Sequence, residues 1–168
     1  ESIVANTPED GKVFMMCGSP EDNNVSLVEK GFHSVVDRTD LEIVETAYAD
    51  NWLAEIGFTT IGDYLDSGGE LDAVMCGNDD IASQVIRALS ERRLAGEVCV
   101  VGQDADLGGC QRIVEGTQTM TVYKSIEKLA MRAAENAVAL VRDGEIKTGG
   151  TYFDGTQEVP YIGLEPIA

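Results

Sequence analysis

Five short apolar runs alternate with segments of helical periodicity along most of this chain, and each run is closed by polar turn residues. KVFMMC at 12–17 is stopped by Gly18-Ser19-Pro20. LEIVETA at 41–47, LDAVMC at 71–76, EVCVV at 97–101 and QTMTVY at 118–123 repeat the theme. Runs this short and this apolar suit strands buried on both faces. Between them, Val25, Leu27, Val28, Phe32, Val35 and Val36 keep helical spacing over 23–37. Helices are likewise expected over 52–65, with Leu53, Ile56, Ile61 and Leu65 inward, and from a cap at Asp79 or Asp80 through Leu89. Two more are expected over 107–115 and 125–142, the last capped by Ser125 and ended at Asp143-Gly144. The Gly- and Thr-rich stretch 147–158 reads as a loop, and 159–167 as a last extended segment. Strands alternating with helices predict an α/β fold with a doubly wound parallel sheet, a Rossmann-like three-layer α/β/α arrangement.

A length of 168 residues fits one domain with a sizeable core, and the expected division is a single α/β lobe spanning 1–168. A formal charge of −18 repels phosphate backbones and anionic headgroups, so nucleic acid is not expected as a partner. No run is long and apolar enough to span a bilayer. Residues 1–12, ESIVANTPEDGK, carry neither a basic n-region nor an apolar h-region, so no signal peptide is expected within them. A trimmed chain would read the same way.

Cys17, Cys76, Cys99 and Cys110 form no CxxC pair, and the only histidine, His33, has no cysteine beside it. A metal site is therefore not expected, and three of the thiols sit in apolar runs as buried residues. If the first and third strands are neighbours, Cys17 and Cys76 both end near the same edge. A bridge between them is conceivable there, though unusual between parallel strands.

The carboxyl ends of parallel strands form the crevice where ligands bind. Reading just past each strand gives Ser19, Asp22, Asn23 and Asn24; then Asp50, Asn51 and Trp52; then Asn78, Asp79 and Asp80; then Gln103, Asp104 and Asp106; and finally Lys124. Any one of these could be an ordinary turn or cap residue. Together they place hydrogen-bonding groups and one flat aromatic along a single edge. Carboxylates accept from hydroxyls, Asn amides donate and accept, Lys donates, and Trp covers the C–H side of a sugar ring. The chemistry suits a neutral polyol.

Phosphate ligands fit poorly, because neither GxGxxG nor GxxxxGK[ST] follows a strand. Catalysis has little support: His33 falls mid-helix, no GxSxG elbow occurs, and no Cys has a His nearby. Asp104 and Asp106 could pair as acid/base carboxylates or Mg²⁺ ligands, but Asp106 is placed to cap the helix at Leu107. The chain is not expected to be an enzyme, and no cofactor is expected.

GSPEDNN at 18–24, CGNDD at 76–80 and VVGQDADLGGCQRIVEGTQTMTVYKSI at 100–126 resemble the D-xylose-binding group of the type 1 (ribose/galactose/xylose) periplasmic solute-binding proteins. The resemblance covers essentially the whole chain. It implies a sugar clamped between two hinged lobes, of which this chain matches the C-terminal one. The N-terminal lobe is then a missing partner, reached by the helix over 125–142. It implies sugar contacts at Asp22, Asn24, Trp52, Asn78, Asp104 and Lys124, a xylose-like aldose as ligand, and an ABC permease as partner. It also implies a periplasmic or extracellular location, including a membrane-tethered lipoprotein in a Gram-positive cell.

Departures bear on which sugar is bound. The connection YLDSGGELDA is short, Tyr48 stands where the family often has a second aromatic, and Ser125 replaces the usual proline after TVYK. The same fold also serves sensing proteins of two-component and LacI-like systems, the alternative function. Without the first lobe, the apolar stripe Ile126, Leu129, Ala130, Ala133, Ala137 and Leu140 is expected to lie open, which suggests a homodimer through that helix.

Overall fold

The computed structural model describes residues 1–167, which divide into two compact units, 1–122 and 123–167. In the first, the alternation seen in the sequence becomes β1 (Lys12–Cys17), α2 (Asn23–Val36), β2 (Glu42–Tyr48), α3 (Glu55–Asp66), β3 (Ala73–Cys76), α4 (Asp79–Glu91), β4 (Cys99–Gln103), α5 (Leu107–Glu115) and β5 (Met120–Val122), preceded by a short helix α1 (Ser2–Asn6). The strands form one parallel sheet in the order β2-β1-β3-β4-β5. The order reverses direction between β1 and β3, and that switch point is where open α/β sheets open a crevice at their carboxyl ends.

The period-2 alternation of each strand sorts the core into two layers. Phe14, Met16, Val74, Cys76 and Val100 face Ile61 of α3 and Ile81, Val85 and Leu89 of α4. Val13, Met15, Cys17, Met75, Cys99 and Val101 face the other way, onto Ile3 of α1 and Val25 of α2. Phe14, Met15, Met16 and Leu89 are fully buried, and burial of a side chain of that size stabilises the fold by about 2 kcal/mol. The sheet is thus covered on both sides, as expected.

This packing removes the bridge considered between Cys17 and Cys76. The two strands are indeed neighbours, with Met16 opposite Cys76, but adjacent register positions point to opposite faces. All four cysteines are free.

Four other expectations need correction. The helix does not begin at Trp52. Asp50–Trp52 forms a 3-10 turn in which Asn51 (φ 53°) and Trp52 (φ 58°) are left-handed, so α3 starts only at Glu55 and Leu53 is left exposed. The fourth strand starts two residues late, because the Glu97 and Val98 amides turn back onto the Leu94 carbonyl at 3.1 Å. At its other end the strand runs on through Gln103, which pairs with Val122 of β5. Neither Asp79 nor Asp80 caps α4: Asn78 does, its Oδ1 accepting from the Ile81 amide at 2.9 Å. Finally, 147–158 is not all loop.

In the second unit, α6 (Ile126–Asp143) is capped by Ser125 and closed by left-handed Gly144, as read from the sequence. It is followed by an antiparallel hairpin of β6 (Gly150–Phe153) and β7 (Glu158–Tyr161). Thr, Tyr, Phe and Val in those segments are strand formers despite the surrounding glycines. Asp154 makes the turn, accepting from the Thr156 amide and hydroxyl and the Gln157 amide at 2.7–2.9 Å. These bonds, the Thr156 hydroxyl first, hold the Asp154 carboxyl below its ordinary range. No residue of α6 is buried, and Ile126, Leu129 and Leu140 are exposed.

Candidate ligand-binding site

Five of the six proposed contacts come from the first unit, and the parallel sheet sets them along its carboxyl edge. Asp22 and Asn24 follow β1, Trp52 follows β2, Asn78 follows β3 and Asp104 follows β4. The strands run in the order β2-β1-β3-β4, so the four strand ends are consecutive. At the switch point the backbones come unusually close: a Cβ at Gly77 would overlap the Gly18 amide. The Gln103 side chain, donating to the Gly77 carbonyl at 3.0 Å, extends this floor to β4.

Trp52 is half-buried and packs against both core layers, with its six-membered ring over Gly18. Only the absence of a side chain at Gly18 lets the ring lie there. Trp52 therefore closes the core at the end of β1 and, as a half-buried residue, stays partly accessible at the rim.

Asp22 and Asn78 also have structural work. Asp22 caps α2, its Oδ1 accepting from the Asn24 amide at 2.8 Å, which ties two proposed contacts to one turn. Asn78 uses Oδ1 for the α4 cap, so the group it can offer a ligand is its Nδ2 amide. Asn24 and Asp104 are exposed at the rim.

The turn after β4 is the most constrained part of the edge. Asp104 (φ 100°) and Ala105 (φ 52°) both have positive φ, a conformation side-chain-bearing residues rarely hold. Of the five non-glycine residues with positive φ among those described, four are in the Asn51–Trp52 and Asp104–Ala105 turns. Strain gathered at two loops of one sheet edge is a common mark of a functional site. Asp106, as expected, caps α5 by accepting from the Gly109 amide.

Two groups escaped the sequence reading. Asp79 read as a cap or as one of the edge's hydrogen-bonding groups, yet it is 1% exposed, beneath the edge rather than on it. The legible signal was its neighbours: Gly102 and Gly109 are glycines because a Cβ at either would meet the Asp79 carboxylate. Glu29 on α2 reaches the first and second strand ends, accepting from Tyr48 Oη at 2.7 Å and from Cys17 Sγ at 3.5 Å. No spacing rule marks it, since its partners are 12 and 19 residues away.

Lys124 belongs to the second unit, two residues beyond β5 and one before the Ser125 cap. In that unit it lines a mainly apolar cavity of about 220 Å³ with Tyr123, Ile126, Leu129 and Ile167. His33, half-buried on α2 and 2.9 Å from Asp37, takes no part in the edge. Among the described residues no cluster of His, Cys, Asp and Glu could hold a metal ion.

A doubly wound sheet in this order, with polar groups and one aromatic lined along its carboxyl edge, is the α/β class whose carboxyl-end crevice is the usual place for small ligands. The chain belongs to the periplasmic binding protein domain family, which it matches over residues 1–146. It is 43% identical along its whole length to a D-xylose-binding periplasmic protein of Haemophilus influenzae, of which it covers 52%. The D-xylose-binding periplasmic protein of Escherichia coli is also 43% identical, over 99% of this chain and 52% of its own length. The fold superposes with a TM-score of 0.84 on a periplasmic ribose ABC transporter structure from Conexibacter woesei. The match covers 98% of this chain and 52% of that one, at 23% identity. The chain therefore spans about half the length of the relatives it matches.

Proposed function

We propose that this chain is a sugar-binding lobe of the solute-binding component of an ABC importer, with a xylose-like monosaccharide as ligand. It performs no chemistry on the sugar. Four adjacent strand ends carrying Asp22, Asn24, Trp52, Asn78 and Asp104 are the observation that supports this most. Carboxylates there accept from sugar hydroxyls, the Asn78 Nδ2 donates, and the Trp52 ring covers the apolar ring face. The D-xylose-binding relatives make xylose the first sugar to try. Lys124 enters this reading through its TVYK motif alone.

The remaining half of the relatives' length would supply the facing N-terminal lobe. Sugar bridging two lobes stabilises their closed state, and that state would dock on the permease. The location is periplasmic, or extracellular on a lipid anchor. With one face of the sugar open to water, this chain alone binds more weakly than micromolar, because its hydroxyl partners are incompletely desolvated.

Titration of the chain with xylose, glucose, ribose and arabinose, followed by amide NMR, tests the reading. Saturable shifts for one sugar at 22–24, 52, 78 and 104, lost in Asp104→Ala, are expected. No shift with any sugar at tens of millimolar, or an Asp104→Ala variant that binds as the parent does, would refute it.

A further inference from the structure

The buried Asp79 carboxylate lies under the strained turn that carries Asp104, and its partners account for that turn's shape. Three successive amides of the turn are fixed. Asp104 N donates to the Val122 carbonyl at 2.9 Å. Ala105 N donates to Thr121 Oγ1 at 3.0 Å, and that hydroxyl donates onward to Asp79 Oδ2 at 2.8 Å. Asp106 N donates directly to the same Oδ2 at 3.1 Å. Two of the three amides thus converge, one of them through Thr121, on a single carboxylate oxygen.

The other oxygen is held as firmly. Gln118 Nε2 donates to Asp79 Oδ1 at 2.8 Å, and Gln118 is itself 2% exposed. Its orientation is set by Arg112 Nε, which donates to Gln118 Oε1 at 2.9 Å, while Arg112 Nη2 donates to the Asp79 carbonyl at 2.9 Å. Every side-chain contact to Asp79 is therefore a donor. An ionised carboxylate, which only accepts, satisfies all of them at once.

We propose that Asp79 is a positioning residue for ligand recognition: it templates the left-handed Asp104–Ala105 turn and so aims Asp104 at the ligand. The inference rests on the sugar-binding reading of this edge. It is specific to a carboxylate. An asparagine in its place sets an NH2 group against either the Asp106 amide and Thr121 or the Gln118 amide. Rotating Gln118 to accommodate it forfeits the bond from Arg112 Nε. Unsatisfied buried donors are expensive, and the turn, already in a sparsely populated conformation, is the part free to relax.

Asp79→Asn, Thr121→Val and Thr121→Ser are compared with the parent by hydrogen exchange and by xylose titration. Thr121→Val removes the hydroxyl relay, and with it one donor to Asp79 Oδ2, but leaves the carboxylate in place, so it decides the matter if Asp79→Asn does not fold. Exchange of the Ala105 amide is expected to rise about tenfold in Thr121→Val and return in Thr121→Ser, with the core amides of Val74 and Val100 unchanged. Xylose affinity should fall about tenfold in Thr121→Val and Asp79→Asn and be restored in Thr121→Ser. Parental exchange at Ala105 and Asp106 in the folded variants would overturn the template. Faster exchange with unaltered affinity would reduce Asp79 to a structural residue and overturn its role in recognition. Absence of binding of xylose, glucose, ribose and arabinose alike by the parent would refute that role together with the sugar-binding reading, and exchange would still decide whether Asp79 shapes the turn.

Discussion

The Trp52 ring lies over Gly18, so the one tryptophan of the chain seals the end of β1 where the first pair of proposed contacts begins. Its left-handed backbone and the side-chain-free glycine beneath it are two halves of one arrangement. Gly18→Ala would place a methyl group inside the ring's volume. The ring must then swing outward, and its emission should shift to the red. Stability should drop by about 1–3 kcal/mol, the usual cost of overpacking. Fluorescence and urea unfolding of the variant check this. An unshifted spectrum with an unchanged midpoint would show that the ring does not sit there.

Asn78 divides its side chain between two tasks, and substitutions can separate them. Oδ1 caps α4 through the Ile81 amide, whereas Nδ2 is the group proposed for the ligand. Asn78→Ala should lose the cap and cost about 1 kcal/mol. Asn78→Ser should keep most of the cap but carry no amide donor. Urea unfolding is expected to rank Ser near the parent and Ala below it, while both lose sugar-dependent shifts. A serine variant that binds xylose normally would assign Asn78 to the cap alone.

The layers and the ligand edge were legible in the sequence because parallel strands buried on both faces leave short apolar runs, and their ends collect polar residues. KVFMMC gave β1 to the residue, and Asp106 gave the start of α5. What stayed hidden was nonlocal or conformational. Nothing in DNWLAEI announces that Asn51 and Trp52 turn left-handed and delay α3. Asp79 could not be told from a cap, because its donors come from residues 27 to 42 positions away. The hairpin was missed because glycines outweighed the Thr-Tyr-Phe run beside them.

The apolar face of α6 predicts association. Ile126 is 71% exposed and Leu140 49%. An open stripe of this kind marks an interaction surface, and for the 168-residue chain by itself a second copy is the proposed occupant. Light scattering at rising concentration should report a dimer. Ile126→Glu with Leu140→Glu should restore the monomer without changing the unfolding midpoint of the first unit. A parent chain that stays monomeric at high concentration would remove the homodimer.

Glu29 predicts a distinct alkaline behaviour. Its carboxylate accepts the Tyr48 hydroxyl at 2.7 Å, and chiefly through that bond the phenol is pushed up from 10.0 to about 12. Burial, with help from the same carboxylate, pushes the Cys17 thiol up from 9.0 to about 12. In both cases the fold favours the protonated form. The resulting stabilisation is complete below the unfolded values and is lost as pH rises through the folded ones. Stability should therefore decline from about pH 9, where unfolded Cys17 begins to ionise, to about pH 12. Tyr48→Phe should flatten the part above pH 10, and Cys17→Ala the part that begins at pH 9. Glu29→Gln keeps an acceptor but removes the charge, so it should reduce both slopes together. Urea midpoints across this range, with phenolate absorbance to follow Tyr48, measure each contribution. An alkaline slope in Glu29→Gln identical to the parent's would show that the carboxylate contributes to holding neither proton.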